Sequence, residues 1–393
     1  MRQSICRSTN LNALAPLAKY ARNPIRLRYH KLRLDLASHV RWERSFTRYG
    51  IDSRQWRGLS RIPPPRSIKF SNFFNVAEAN DCIAVLDSSW VRPACFQAFN
   101  EAKRSGLRIV TMIHDLIPIG HPVLVPDGSE ATFRGFLRES LNFSSIYVTN
   151  SKATRVDVLA FLREMGRQLE VKAVPLARQA NILNGRNDTS RAIRQEVRSI
   201  PHTPYALFVG TLETRKNLWR LAQSWDLLRR RAPDIAPRLV LAGGSGWCND
   251  PFDDFFEKTG GLGGWISVVD RPNESELDYL YRHCQFCVQV SLAEGWGLPV
   301  GEALSYGKTC VVSALDALRE VGGDLVECCD QESIESISQA CSKLIGPSPR
   351  RRELEERISQ VKLRTWDDVA IDLIAAIESH GEAENPVKIV KSA

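Results

Sequence analysis

The sequence predicts an α/β protein built of two Rossmann-like domains that face each other across a central cleft. Three observations carry this prediction. Short apolar runs alternate with amphipathic helical stretches from residue 82 onward. The alternation breaks at a polar stretch and then restarts. A strand, a glycine turn and a helix start follow one another between residues 287 and 304. Alternation of this kind implies βαβ units, that is, parallel sheets covered by helices on both faces. A chain of 393 residues has room for two such domains.

Residues 1–70 stand apart. They hold 16 Lys and Arg against 3 Asp and Glu, a net of +13, which leaves −5 for the remainder of a chain whose total is +8. An acid-poor segment of this kind suits an anionic membrane surface or an acidic acceptor. A merely solvated leader and an organelle transit peptide are the other readings. It holds no recognisable nucleic-acid-binding module, so nucleic acid is not an expected partner.

The first domain is expected over residues 71–180, with strands at 83–86, 108–113, 145–149 and 171–174 and helices near 93–104, 130–142 and 151–162. A polar stretch at 181–204 carries Asn-Gly and two prolines and reads as the connection. The second domain, 205–365, has strands at 205–210, 239–242, 266–269, 286–290 and 309–312. The helix after Arg215 sets Leu218, Leu221, Ala222, Trp225 and Leu228 on one face, which is the spacing of a core stripe. A last helix is expected at 366–380.

Composition narrows the function classes. With 43% hydrophobic and 25% charged residues the chain reads as globular. It has no run of about 18 apolar residues that would span a membrane. Its first 20 residues lack the apolar centre of a secretory signal. The ten cysteines are scattered, the usage of a reduced compartment. The expected location is the cytoplasm, with residues 1–70 able to hold the protein to the cytoplasmic face of a membrane. Cys284-x-x-Cys287 has no second pair at zinc spacing and reads as core. No metal ligand set and no cofactor are expected.

The chemistry concentrates in Ser291-Leu292-Ala293-Glu294-Gly295-Trp296-Gly297-Leu298-Pro299-Val300-Gly301-Glu302. An apolar strand ends here, glycines free the backbone, Pro299 suits the first turn of a helix, and Gly307 stops it. Helix amides and the dipole then face any anion beyond the turn. Glu294 at the strand end and Glu302 on the first helical turn flank that cradle. Carboxylates beside an anion site suit a ligand that carries phosphates and hydroxyls together. Arg215 and Lys216, in the loop after the first strand of the second domain, are placed to reach a diphosphate; a guanidinium binds phosphate bidentately and an ammonium acts as a point charge. His114 follows strand 108–113 at the carboxyl edge of the first sheet, and Asp115 either orients it or caps the next turn. Gly301 costs about 1 kcal/mol relative to Ala in a helix. It either lets a nucleotide approach or is incidental.

The segment from Glu294 to Glu302 resembles the E-x7-E signature of the retaining glycosyltransferases of family 4 (group 1), which have the GT-B fold. Three further segments resemble the same family in its order: Phe208-Val209-Gly210-Thr211-Leu212-Glu213-Thr214-Arg215-Lys216-Asn217-Leu218, Leu239 to Trp247, and Arg319-Glu320-Val321-Gly322-Gly323-Asp324. His114-Asp115-Leu116-Ile117-Pro118 and His121-Pro122 resemble the acceptor-domain loop of bacterial mannosyl- and rhamnosyl-type polysaccharide members. The likeness covers about residues 80–380. It implies an acceptor domain, a donor domain at 205–365, and a C-terminal helix that packs back on the first. It further implies catalytic roles for His114, Glu294, Arg215 and Lys216. Donor binding would fall to Gly210, Glu213, Gly295, Gly297, Leu298 and Glu302, with Glu302 on the ribose and Glu294 on the sugar. The implied reaction moves a sugar from a nucleotide diphosphosugar to a lipid-linked or surface glycan, with the leaving phosphate assisting attack on the same face. Nothing in residues 1–70 resembles the strand and glycine loop with which such members usually begin. Two alternatives therefore stay open, a non-catalytic nucleotide-sugar-binding subunit and a nucleotide-sugar epimerase of the same fold.

Overall fold

The computed structural model describes residues 77, 81–86, 94–179 and 193–379, and all but Ala77 belong to one compact unit running from Glu78 to Ala393. The expectations for residues 1–70 and for 181–192 fall outside the described residues. Two parallel sheets organise the rest. The first comprises β1 (Cys82–Val85), β2 (Arg108–Ile113), β3 (Ile146–Thr149) and β4 (Val171–Ala173), in the order β1-β2-β3-β4. Helices α1 (Ala94–Arg104), α2 (Ile117–Gly120), α3 (Ser129–Phe143) and α4 (Lys152–Glu164) connect them. The described strands lie within a residue of the positions read from the sequence; β2 and β3 are mostly apolar runs buried on both faces.

A short helix α5 (Gln195–Ser199) leads into the second sheet. Here the polar stretch 181–204 reaches less far than its composition suggests. Val197 is fully buried among second-sheet residues. The Arg194 backbone N–H and its Nε both donate to Glu276 Oε1, at 3.0 and 2.8 Å. Burial alone would raise the Glu276 carboxyl. The Arg194 guanidinium and the backbone donors outweigh that and bring it down to about 2.

The second sheet has strands β5 (Tyr205–Val209), β6 (Arg238–Ala242), β7 (Ile266–Val269), β8 (Cys287–Gln289), β9 (Cys310–Ser313) and β10 (Glu327–Cys329). Their order is β10-β9-β8-β5-β6-β7, all parallel. Strand β10 was not expected; Glu-Cys-Cys has no apolar run to announce it, and pairing with β9 at the sheet edge makes it a strand. Helices α6 (Leu218–Arg231), α7 (Asp250–Gly264), α8 (Glu274–His283), α9 (Leu298–Ser305), α10 (Asp316–Gly322), α11 (Ile334–Ser342) and α12 (Pro349–Gln360) cover both faces. Alternate residues of β5 feed separate cores: Ala206 and Phe208 join Trp225 and Leu228 on one face, while Tyr205, Leu207 and Val209 join Leu280 and Val300 on the other. Cys284 and Cys287 lie in that second core, with thiols raised well above the ordinary value by burial.

The last helix, α13 (Trp366–Ser379), places Val369 and Ala376 against Val110, Met112, Ile146 and Val148 of the first sheet. Arg108 Nη1 donates to Ile377 O at 3.0 Å, and Arg178 N to Arg364 O at 2.9 Å. Among the described residues no helix is long and apolar enough to cross a membrane.

Candidate functional site

The second sheet changes direction between β5 and β8: β6 and β7 lie beyond β5, whereas β9 and β10 lie beyond β8. Loops at the carboxyl ends of two such strands diverge and open a crevice, which is where open α/β sheets bind ligands. The loop after β5 carries Glu213, Arg215 and Lys216, and the loop after β8 carries Glu294.

Hydrogen bonds to backbone carbonyls lock these loops together. Leu292 N donates to Arg215 O at 2.8 Å, and Arg215 Nη1 donates to Ala293 O at 3.0 Å. Asn217 supports the turn from below. It takes the left-handed conformation, φ +61°, and its Nδ2 donates to Val290 O and Gln331 O, both at 2.9 Å. Asn tolerates that conformation better than most residues do.

The cations and carboxylates form one closed network. Arg215 Nη1 reaches Glu294 Oε2 at 2.9 Å and Nη2 reaches Glu213 Oε1 at 2.6 Å. Lys216 Nζ meets Glu294 Oε1 at 2.5 Å, and Ser291 Oγ donates to the same oxygen at 2.7 Å. Only about a tenth of the Glu294 side chain is exposed. Burial would raise its carboxyl, but the ammonium of Lys216 and the guanidinium of Arg215 prevail and hold it below the usual carboxylate range. Two positive groups at the entrance to α6 oppose the helix dipole; two carboxylates balance them. Glu213 Oε2 is buried with no hydrogen-bond donor among the described residues. Such an orphan costs about 1–3 kcal/mol, a cost commonly found at functional sites.

Glu302 lives in a different environment. It is the fifth residue of α9, in the second turn and not in the first, where the sequence reading put it. Its Oε2 accepts from the Tyr281 hydroxyl at 2.7 Å. Burial raises the carboxyl, and the Tyr281 bond offsets only part of that. Tyr281 stacks on Tyr306 with centroids 5.1 Å apart. Tyr281 was not foreseen, because a tyrosine near the end of a helix carries no signal that separates core from site. At the start of α9, Gly297 takes φ +104°, and the neighbouring Leu298 is exposed. The first amides of a helix have no partner within it.

The first sheet brings its loop to this crevice. The His114 side chain is exposed, with Nε2 3.1 Å from Leu86 O. Asp115 caps the next turn, its Oδ1 accepting from Ile117 N at 3.0 Å, so of the two roles foreseen the structure supports capping. A side chain on Gly295 would lie 2.3 Å from His114 O and 2.9 Å from Asp115 Cβ; only glycine lets the two loops approach this closely. Gly301 is explained the same way, and not by a nucleotide. A Cβ there would come within 2.8 Å of Arg178 Cα.

The predicted residues thus fall into two groups. His114 and Arg215 line one cavity of about 450 Å³, Glu294 lines another of about 820 Å³, and Asp115 borders both. Gly210 lies beside Lys216, and Gly295 lies against the backbone of His114. Glu302 and Leu298 line neither cavity and stand at the start of α9 with Tyr281. Among the described residues no group of three His, Cys, Asp or Glu side chains is arranged to hold a metal ion.

Two parallel α/β layers with their strand ends turned to a shared crevice are the GT-B arrangement. The family model described as Glycosyl transferases group 1 matches residues 189–361. The chain is 28% identical over 270 residues to O-antigen chain mannosyltransferase B of Escherichia coli, covering 68% of this chain and 70% of that protein. It is 20% identical over 289 residues to the serotype-specific mannosyltransferase WbdA of Escherichia coli, 71% of this chain but only 34% of that longer one. Among solved structures, sucrose-phosphate synthase from Thermosynechococcus elongatus superposes with a TM-score of 0.60 at 16% identity, over 80% of this chain and 77% of that one. The UDP-forming α,α-trehalose-phosphate synthase of Burkholderia xenovorans, in complex with glucose-6-phosphate, gives 0.60 at 13%, over 78% and 76%. At these identities the structural likeness speaks for the fold.

Proposed function

We propose that the protein is a retaining glycosyltransferase of family 4 that moves a mannose- or rhamnose-type sugar from a nucleotide diphosphosugar to a lipid-linked or surface polysaccharide acceptor. The observation that carries this reading is the clamp of Arg215 and Lys216 on Glu294 at the point where the second sheet changes direction. It sets cations for a leaving diphosphate beside a carboxylate that those cations hold below the usual range, suited to sugar hydroxyls. The mannosyltransferase relatives support the donor class.

In this mechanism the bond from the anomeric carbon to the β-phosphate oxygen breaks, and a bond to the acceptor oxygen forms on the same face of the sugar. The acceptor proton passes to the departing phosphate oxygen. Arg215, Lys216 and the first amides of α9 stabilise charge that grows on the diphosphate, the kind of preorganised electrostatic help worth roughly 10²–10³ in rate per donor. Glu294 orients the sugar and offsets positive charge at the anomeric carbon. His114 faces the sugar from the first domain, and Glu302 accepts from the ribose hydroxyls. Residues 1–70 place the protein on the cytoplasmic face of an anionic membrane, where a lipid-linked acceptor lies.

Calorimetric titration of GDP, UDP and dTDP against the full chain tests the donor site. One nucleotide should bind, and Arg215→Ala should weaken it roughly 10- to 100-fold, the worth of one charge-assisted contact. Absence of binding by all three would leave the non-catalytic reading in its place. The anomeric configuration of the product, followed by NMR, decides retention against inversion.

A further inference from the structure

The loop that follows β6, Gly243-Gly244-Ser245-Gly246-Trp247-Cys248, is zipped onto the loop that carries Glu213 and Arg215. Leu212 N donates to Gly244 O and Gly246 N to Leu212 O, both at 2.9 Å, and Thr214 N donates to Trp247 O at 3.3 Å. Leu212 and Ser245 form a parallel bridge. A Cβ on Gly246 would lie 2.8 Å from both Glu213 Cβ and Thr211 Cγ2, so the loop lies flat on its neighbour. Directly after Trp247, Cys248 takes φ +53°. A non-glycine residue persists there only where its surroundings over-determine it, and such residues gather at functional sites.

What this loop presents is an indole that is 40% exposed. The Trp247 Nε1–H donates across the crevice to Leu124 O at 3.3 Å. With its one donor engaged, Trp247 has only its ring face left to offer a ligand. That ring lines the cavity of about 450 Å³ together with His114, Arg215, Phe133 and Phe136. Phe133 and Phe136 are buried within the wall, which leaves the indole as the accessible aromatic surface. The single cation of this lining, Arg215, is already bonded to Glu213 and Glu294. A mostly apolar hollow with few convergent polar groups is built for a specific ligand, and the guanidinium in its lining, Arg215, is the one assigned above to the leaving diphosphate, which leaves no other Lys or Arg among the described lining residues for an acceptor phosphate.

We propose that Trp247 is the platform on which the terminal, uncharged pyranose of the acceptor stacks, with the C–H face of the sugar against the indole. This rests on the glycosyltransferase reading above and assigns that reading's acceptor position to the hollow between Trp247 and His114. The acceptor end is then a neutral sugar and not a sugar phosphate.

Saturation-transfer NMR on the full chain, held with whichever of GDP, UDP and dTDP binds, tests this with α-linked mannotriose and glucose 6-phosphate as probes. The trisaccharide should receive saturation on one ring face, and glucose 6-phosphate should receive none. Trp247→Ala should weaken the trisaccharide at least about tenfold while the nucleotide Kd stays within about twofold, and Trp247→Phe should stay within about threefold of wild type. An unchanged trisaccharide Kd in Trp247→Ala would overturn the proposal. So would a Phe variant as impaired as the Ala variant, because the bond to Leu124 would then be what matters. Absence of transfer to the trisaccharide in the wild-type protein would overturn it as well. Nucleotide binding without a trisaccharide effect removes this inference alone, whereas failure of all three nucleotides removes the donor reading beneath it.

Discussion

Glu294 and Glu302 lie in one loop-and-helix segment and are held in opposite electrostatic states. Glu294 meets an ammonium, a guanidinium and a hydroxyl, and stays ionised despite its burial. Among the described residues Glu302 is met by a phenol, and burial raises its carboxyl. Two carboxyl groups pushed apart in this way perform different tasks. The first is a buried carboxyl that two cations hold below the usual range. The second has a carboxyl that burial pushes up and a phenol only partly brings back. The cause is the neighbouring loop: the turn after β5 delivers two cations to Glu294, while the end of α8 delivers only a hydroxyl to Glu302.

The largest break in this contrast comes from Glu294→Gln. It leaves Arg215 and Lys216 facing an amide, so unfolding free energy measured in urea should fall by about 3 kcal/mol, the cost of removing one partner of a buried pair. Transfer rate should fall roughly 10²–10³-fold in a single-turnover assay. The pH dependence carries a sign. Because the folded-state value of Glu294 lies below the 4.5 of a free carboxyl, its contribution is present above that value and is lost as pH falls through the folded one. The Gln variant should lack that acid-side loss, and equal slopes in the two proteins would contradict the clamp.

Glu302→Gln should act more gently and in the opposite pH direction. The wild-type carboxyl ionises as pH rises through its raised value, and ribose hydroxyls donate best to the ionised form. Nucleotide affinity, titrated calorimetrically from pH 4.5 to 8, should climb roughly tenfold in the wild type. It should stay flat in the variant, with the two converging at the acid end. The smallest effect belongs to Tyr281→Phe. Loss of its hydroxyl should cost about 0.5–1.5 kcal/mol in urea unfolding. It should also move the wild-type affinity rise to higher pH, since the phenol is what partly lowers the Glu302 carboxyl. A shift to lower pH would refute that assignment.

Much of the fold was legible because parallel strands buried on both faces need continuous apolar runs, and Tyr205–Val209 and Cys310–Ser313 are such runs. The short edge strand Glu327–Cys329 was not, since pairing with its neighbour and not its composition defines it. The candidate site divides in the same way. Glu294, Arg215 and Lys216 stood out singly as charged residues at loop positions beside strands. That they form one neutral network was hidden, because Arg215 and Glu294 are 79 residues apart and meet only where β5 and β8 lie side by side.

The sequence by itself determined the two alternating α/β layers, the glycine turn into α9 and the residue types able to hold a diphosphate, because these depend on local periodicity and backbone freedom. Only the tertiary structure decided that Gly295 and Gly301 answer to the neighbouring chain at His114 and Arg178, that Glu302 faces a tyrosine, and that Trp247 reaches across to Leu124. Burial and the distance to a partner set a carboxyl's charge state and a glycine's necessity, and both arise only once segments remote in sequence have packed together.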